Sequence, residues 1–207
     1  MGSELDAFSD ECRALDETLA GVSAEAWTRH ALGAWNVAQL VAHLVRGATR
    51  VATYLDVEVG GNPVTDRVSY FNYDHTGEAP EIARRAVQEA AKVDAETLPA
   101  LFTEGWRASA ERAAEVGDGH VLHTIAGPMR LDEYLATRVV EMVVHHTDLR
   151  AALELPAVST IAAARITMDV LEGLLGEPRP RNLGRARFIQ VATGRFPSDD
   201  PRFPVLR

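Results

Sequence analysis

The stretch RVVEMVVHHTDL, residues 138–149, places one acidic side chain among valines that recur with helical spacing. Apolar residues on nearly every side are typical of a helix buried in a protein core. A bare carboxylate is costly to bury unless another group compensates its charge. Glu141 therefore needs a partner. His145 lies one turn further along the same face, so both side chains can reach one point.

A divalent cation would satisfy both side chains, and a third ligand can come from a second helix about 8 to 10 Å away. Residues 37–56 have the apolar stripe of such a helix, and His43 falls on its edge. We therefore predict a metal site formed by His43, Glu141 and His145. Two histidines and one carboxylate leave a position for water or substrate, as in catalytic sites. Zinc is the first choice, although nickel, iron and manganese accept the same ligands.

Two neighbours on the 138–149 helix are candidates for a catalytic role. Asp148, three residues after His145, can hold an imidazole N–H and so orient a ligand. Arg138 lies on the same stripe and can offset negative charge or bind an anionic substrate.

Each of these residues also has a purely structural interpretation. Glu141 and His145 alone fit a helical pair held by hydrogen bonds or by Arg138. His43 fits a core-edge histidine bonded to a backbone carbonyl, and Asp148 fits a polar helix end. We expect the remaining histidines on the surface or in loops: His30, His75, His120, His123 and His146.

The rest of the sequence predicts an all-α domain with four long helices at its core. Asn36 and Gln39 form a capping pair for the helix that carries His43. The segment 57–79, rich in glycine and aromatic residues, is predicted to be a loop that covers a site. Periodicity and helix-end signals predict helices over residues 5–19, 37–56, 80–96, 99–116, 133–154, 159–175 and 184–193, with a weakly signalled hairpin in 120–129.

Composition excludes several classes of function. A length of 207 residues fits one globular domain, and no segment has the pattern of a signal peptide or a membrane span. The net charge of -9 opposes nonspecific binding to nucleic acid or anionic lipid. The single cysteine, Cys12, falls in an apolar stripe and suits a reducing compartment. We expect a cytoplasmic protein, monomer or homodimer, whose partners are small molecules.

Two segments together, WNVAQLVAHL at 35–44 and RVVEMVVHHTDL at 138–149, resemble the mycothiol-dependent maleylpyruvate isomerase family within the DinB-like superfamily. The resemblance covers residues 5–155, and the segment ATGR at 192–195 resembles a short motif near the C-terminus of those isomerases. It implies a DinB-like four-helix bundle with additional short helices and a small C-terminal extension. The implied organisation is a metal-binding bundle over 1–155 and a C-terminal helix and extension, 156–207, packed on the same domain.

The resemblance also implies a function. His43, Glu141 and His145 match the family's metal ligands, and Arg195 becomes a candidate for catalysis and for binding a substrate or thiol anion. Family members use mycothiol as a cosubstrate for isomerisation or S-transfer, with the metal activating the thiol. The C-terminal region is shorter than that of the full isomerases, so maleylpyruvate itself is not assigned as the substrate. The alternatives are a non-catalytic metal-binding stress or regulatory protein and a metal-dependent hydrolase.

Overall fold

Four long helices form a closed ring around one apolar core, in agreement with the predicted all-α fold. The computed structural model describes residues 2–57, 61–72 and 79–206. In these ranges the helices are α1 Ser3–Leu19, α2 Val37–Leu55, α3 Ala79–Ala90, α4 Leu98–Val116, α5 Leu131–Ala152, α6 Ile161–Leu175 and α7 Arg185–Ala192. In the ring α1 packs on α4 and α5, and α2 packs on the same two helices. The prediction of a helical bundle is confirmed.

Two antiparallel hairpins accompany the helices. The strands β1 (His30–Leu32) and β2 (Trp35–Asn36) lead directly into α2. The strands β3 (Val121–Thr124) and β4 (Gly127–Arg130) lead directly into α5, which confirms the weakly signalled hairpin. The two helices that carry the predicted metal ligands therefore each begin where a short hairpin ends.

The N-terminus of α2 has the predicted capping pair. The Asn36 side chain accepts a hydrogen bond from the Gln39 backbone N–H, and the Gln39 side chain accepts one from the Asn36 backbone N–H. Such a capping box satisfies two backbone donors at the helix end. At the end of α6, Gly176 adopts the left-handed conformation with φ 77°, which a glycine enters at little cost.

Two predicted helix ends are wrong. The helix predicted to begin at residue 133 begins at Leu131, so Arg130 occupies the N-cap position and Asp132 lies inside the first turn. There Asp132 pairs with Arg130 at 2.8 Å. The helix predicted to reach residue 96 ends at Ala90, because Asp94 caps a separate short turn by accepting from the backbone N–H of Glu96.

The segment 61–72 lies against the bundle. The backbone N–H groups of Val64 and Thr65 both donate to the carbonyl of Pro128 in β4. Arg67 forms an ion pair with Glu133 at 2.7 Å. Part of the predicted covering loop, including Gly60, Tyr73, His75 and Gly77, lies outside the described residues.

The core is filled by large side chains from all four bundle helices. Phe8, Leu40, Phe102 and Leu135 are almost fully buried. Cys12 is buried as predicted, and burial raises the pKa of its thiol, so the thiol stays protonated. Outside the ring, α3 packs on α2, α6 packs on α5 and α1, and α7 packs on α6. Across the described residues no helix has both the length and the apolar character needed to cross a membrane.

His146 is the histidine whose predicted position is wrong. It is fully buried, with Nδ1 2.8 Å from Glu11 Oε1 and Nε2 2.8 Å from Thr18 Oγ1. The error arises because α5 is covered by α2 on one face and by α1 and α6 on others, so positions about 100° apart are both buried. His30 and His123 are exposed as predicted, and His120 is half-buried.

Candidate metal centre

The three predicted metal ligands meet between α2 and α5. One nitrogen or oxygen atom from each of His43, Glu141 and His145 lies within 4.8 Å of the other two. The Nε2 atom of His43 is 3.2 Å from Oε1 of Glu141, and the two imidazole rings pack edge to face with centroids 5.0 Å apart. About 15% of each His43 and Glu141 side chain is exposed, so the cluster lies near the surface without facing bulk water.

These donors fit a divalent cation. Zinc binds imidazole nitrogen and carboxylate oxygen at about 2.0–2.2 Å, so ligand atoms around one ion lie a few ångströms apart. The three ligand atoms lie within 4.8 Å of one another, so small side-chain movements would bring them to one ion. No other group of three such side chains occurs in the parts of the chain that the structure describes.

Glu141 is held as an anion by Arg138. The Arg138 Nη1 atom contacts Oε2 of Glu141, which leaves Oε1 facing His43. Burial opposes ionisation of Glu141, but the charge of Arg138 and the hydrogen bond from His43 outweigh it and lower the pKa of the carboxyl. The carboxylate is therefore available as a charged ligand at neutral pH.

Aromatic rings enclose Arg138. Its guanidinium lies 4.8 Å from the ring centre of Tyr134 and 5.6 Å from that of Tyr70. Its Nη2 atom also donates to the Tyr70 hydroxyl at 3.3 Å. Arg138 is only 7% exposed, so its contacts are with protein side chains, above all Glu141.

His145 is oriented by Asp148. The Nδ1 atom of His145 lies 3.0 Å from Oδ2 of Asp148. Burial raises the pKa of Asp148, but hydrogen bonds from His145 and Arg195 outweigh this and lower it, so the group is an anion that accepts the Nδ1–H. Burial also lowers the pKa of His145, which favours the neutral imidazole. The tautomer with its proton on Nδ1 leaves the Nε2 lone pair free for a ligand bond.

Arg195 reaches the site from the turn after α7. Its Nε and Nη2 atoms donate to the two carboxylate oxygens of Asp148 at 3.1 and 2.8 Å, and Nη1 donates to the carbonyl of Thr193 at 2.8 Å. The side chain is 22% exposed. Arg138 thus pairs with the carboxylate inside the cluster, Glu141, and Arg195 pairs with the carboxylate beside it, Asp148.

Two residues that shape the site were not singled out from the sequence. The Trp35 ring packs against the His43 ring, with ring centres 5.1 Å apart. Gly47 lies against Glu141, where a Cβ atom would be 2.8 Å from Oε1. The sequence does contain a signal for Gly47: it is a small residue one turn after His43, and positions four apart share a helix face.

Comparison with known proteins identifies a family and a fold. The chain matches the family model "Mycothiol maleylpyruvate isomerase N-terminal domain" over residues 8–150. The crystal structure of the mycothiol-dependent maleylpyruvate isomerase is 18% identical, with a TM-score of 0.57 over 83% of this chain and 68% of that chain. A histidine-to-alanine mutant of that enzyme gives 17% identity and the same TM-score over the same shares.

A search of curated protein sequences found no significant match. Because the solved structures are so distant in sequence, their likeness establishes the fold alone. The family match is independent of them and spans more than half of the chain, including α2, α4 and most of α5. The chain therefore belongs to the family of the mycothiol maleylpyruvate isomerase N-terminal domain.

Proposed function

We propose that this protein is a metal-dependent enzyme that uses mycothiol as a cosubstrate and acts on a small electrophile, as an isomerase or an S-transferase. The observation that carries the proposal is the convergence of His43, Glu141 and His145 in a chain of this family. The distant relatives of the same fold are named mycothiol-dependent maleylpyruvate isomerases, which supports the use of mycothiol as the cosubstrate.

The three side chains would hold one divalent cation, with zinc as the first choice. Three protein ligands leave at least one position for a further molecule. A thiol bound to such a cation loses its proton near neutral pH and becomes a nucleophile that can add to an activated alkene or displace a leaving group. For such an ion the protein would supply an ionised Glu141 and a neutral His145 whose Nε2 lone pair is free to bind it.

The flanking groups have positioning roles in this proposal. Arg138 fixes one oxygen of Glu141 and so directs the other oxygen toward His43. Asp148 fixes the ring of His145, and Arg195 fixes Asp148. The exposed part of the Arg195 guanidinium would in addition attract the anion of the substrate or thiol.

The proposed organisation assigns the metal-binding bundle to residues 1–155 and a C-terminal extension to 156–207. The extension supplies Arg195, so the site draws on both parts. Residues after α6 therefore belong to the functional unit in this proposal, although the ion's ligands all come from α2 and α5.

The test is metal content by elemental analysis, followed by turnover. The wild type should hold about one equivalent of metal, and His43→Ala, Glu141→Ala and His145→Ala should each lose it. His123→Ala removes an exposed histidine and serves as the matched control. Absence of metal after reconstitution with zinc or nickel would overturn the proposal.

Turnover then separates the classes of function. The metal-loaded protein should convert activated alkenes or alkylating electrophiles only when mycothiol is present. Turnover without a thiol would instead indicate a hydrolase. Bound metal without turnover on any electrophile would indicate a metal-binding protein that is not an enzyme.

A further inference from the structure

A cleft separate from the metal cluster opens between α2, α4 and the end of α3. Its volume is about 370 Å³, within the usual range for small-molecule sites. Its walls carry both charged and apolar side chains, among them Arg46, Arg50, Glu89, Lys92, Leu98 and Leu101.

The cleft is positively charged in a protein of net charge -9. Three cationic side chains line it, and the only carboxylate among the lining residues is Glu89. That carboxylate is already paired with Arg46 at 3.0 Å. Within the described ranges neither Arg50 nor Lys92, the only lysine in the sequence, has an ion pair or a hydrogen bond from its side chain. Among the described residues, two positive charges without an ion-pair partner therefore line the same cavity.

The remaining wall is apolar. Leu98 is 2% exposed and belongs to the hydrophobic core, and Val45, Val93 and Leu101 extend that surface into the cleft. A ligand that fills the cavity would place an apolar segment on these side chains and its charge between Arg50 and Lys92.

The cleft and the metal cluster share no residue. None of the three predicted ligands lines the cleft. Its link to them is Arg50, whose guanidinium lies 5.1 Å from the ring centre of Tyr54. The Tyr54 ring in turn packs at 5.3 Å on Tyr134, the ring that lies under Arg138.

We propose that the cleft is a second binding site, for a small carboxylate that carries an apolar segment. Arg50 and Lys92 bind the carboxylate, and the side chains around Leu98 and Leu101 contact the apolar segment. The apolar segment gains free energy by leaving water, and the carboxylate gains it by pairing with the two cations. We expect a ligand that lacks either part to bind more weakly.

Hexanoate is a suitable probe, with hexanamide as its neutral analogue and acetate as its truncated analogue. Isothermal titration of the metal-loaded protein should show one hexanoate bound, with hexanamide and acetate at least about tenfold weaker. Equal binding of hexanamide would overturn the role of the charge. Equal binding of acetate would overturn the role of the apolar wall.

Variants locate the probe. Lys92→Ala should weaken hexanoate binding by about fivefold or more, whereas Arg165→Ala, which removes an exposed arginine of α6, should leave it unchanged. Thr53→Trp places a large ring at the rim of the cleft and should abolish binding while metal content stays at the wild-type level. Circular dichroism of each variant confirms that it is folded.

A further variant separates this proposal from the proposed function. His43→Ala should lose metal and keep hexanoate binding, because it does not line the cleft. Loss of hexanoate binding in His43→Ala, with none in Lys92→Ala, would place the carboxylate at the metal cluster and overturn the second site. Absence of any hexanoate binding by the wild type would overturn it as well, whatever the metal content.

Discussion

Gly47 of α2 lies directly against the carboxylate of Glu141 on α5, where a Cβ atom would be 2.8 Å from Oε1. That oxygen is the one that faces His43. The absence of a side chain at position 47 therefore allows the two helices to bring a carboxylate and an imidazole to one point.

Gly47→Ala should lower metal affinity without lowering stability. Alanine in a helix interior is favoured over glycine by about 0.5–1 kcal/mol, and the atom it displaces is the end of a side chain. The Glu141 carboxylate has to move, so we expect metal affinity to fall by about tenfold or more, as for changes that misplace a ligand. Metal titration and urea unfolding of the same samples measure both effects.

Gly105→Ala in α4 is the matched control, since the three atoms nearest to its Cβ would all belong to the side chain of Thr49, at 3.3 Å or more. It should leave metal affinity unchanged. An unchanged affinity in Gly47→Ala as well would show that Oε1 of Glu141 does not bind the ion.

Removal of Arg138 should destabilise the protein most when no metal is bound. Arg138→Met leaves Glu141 as a buried carboxylate without its main compensating charge, and loss of one partner of a buried pair costs about 3–5 kcal/mol. A cation bound to Glu141 supplies replacement charge, so zinc should restore much of the loss. Urea unfolding with and without zinc measures the difference.

The double variant Arg138→Met with Glu141→Leu tests the reason for that loss. Replacing both members of a buried ion pair by apolar groups is often close to neutral. We expect the metal-free double variant to be more stable than Arg138→Met alone, and to be insensitive to zinc. Equal instability of the two variants would assign the loss to the packing of Arg138 between Tyr70 and Tyr134.

The helices that carry the site were predictable because their local signals agree. In α2 the apolar stripe, the capping pair and the position of His43 all follow from side-chain spacing. In α5 the surroundings are apolar on nearly all sides, which marks the helix as buried but hides which face meets which neighbour. For that reason His146 was expected at the surface although it pairs with Glu11 of α1.

Contacts between distant parts of the chain account for the rest of the site. The spacing of Glu141 and His145 indicates that they share a face, but nothing local shows that Arg195 reaches Asp148. Glycine at position 47 is ordinary until α5 is placed against it. The identity of the metal depends on coordination geometry, and the sequence alone does not determine that geometry.

Asp148→Asn should weaken metal binding while the fold is kept. Asparagine retains the shape but loses the charge that fixes the Nδ1–H tautomer of His145 and pairs with Arg195. Removal of such a supporting carboxylate typically costs about 10- to 100-fold in metal affinity. Competition with a zinc chelator measures the affinity.

Arg195→Met is the companion variant, since it removes the partner of Asp148 and leaves the carboxylate in place. Its effect on metal affinity should be smaller than that of Asp148→Asn, whereas its effect on the KM for an anionic substrate should be larger. An Arg195→Met protein with unchanged KM would exclude anion binding by this residue and leave only its contact with Asp148.

His145 and His146 are adjacent in sequence and should give opposite effects when each is changed to alanine. His145→Ala should abolish metal binding and change the unfolding free energy of the metal-free protein by about 1 kcal/mol or less, since its ring lies at the edge of the core. His146→Ala should keep the metal ligands but cost about 3–5 kcal/mol, because it leaves the fully buried Glu11 without its side-chain partner. Metal content of both variants after reconstitution with zinc, and urea unfolding of their metal-free forms, measure the two effects. Equal destabilisation by the two changes would contradict the division between a ligand face and a core face of α5.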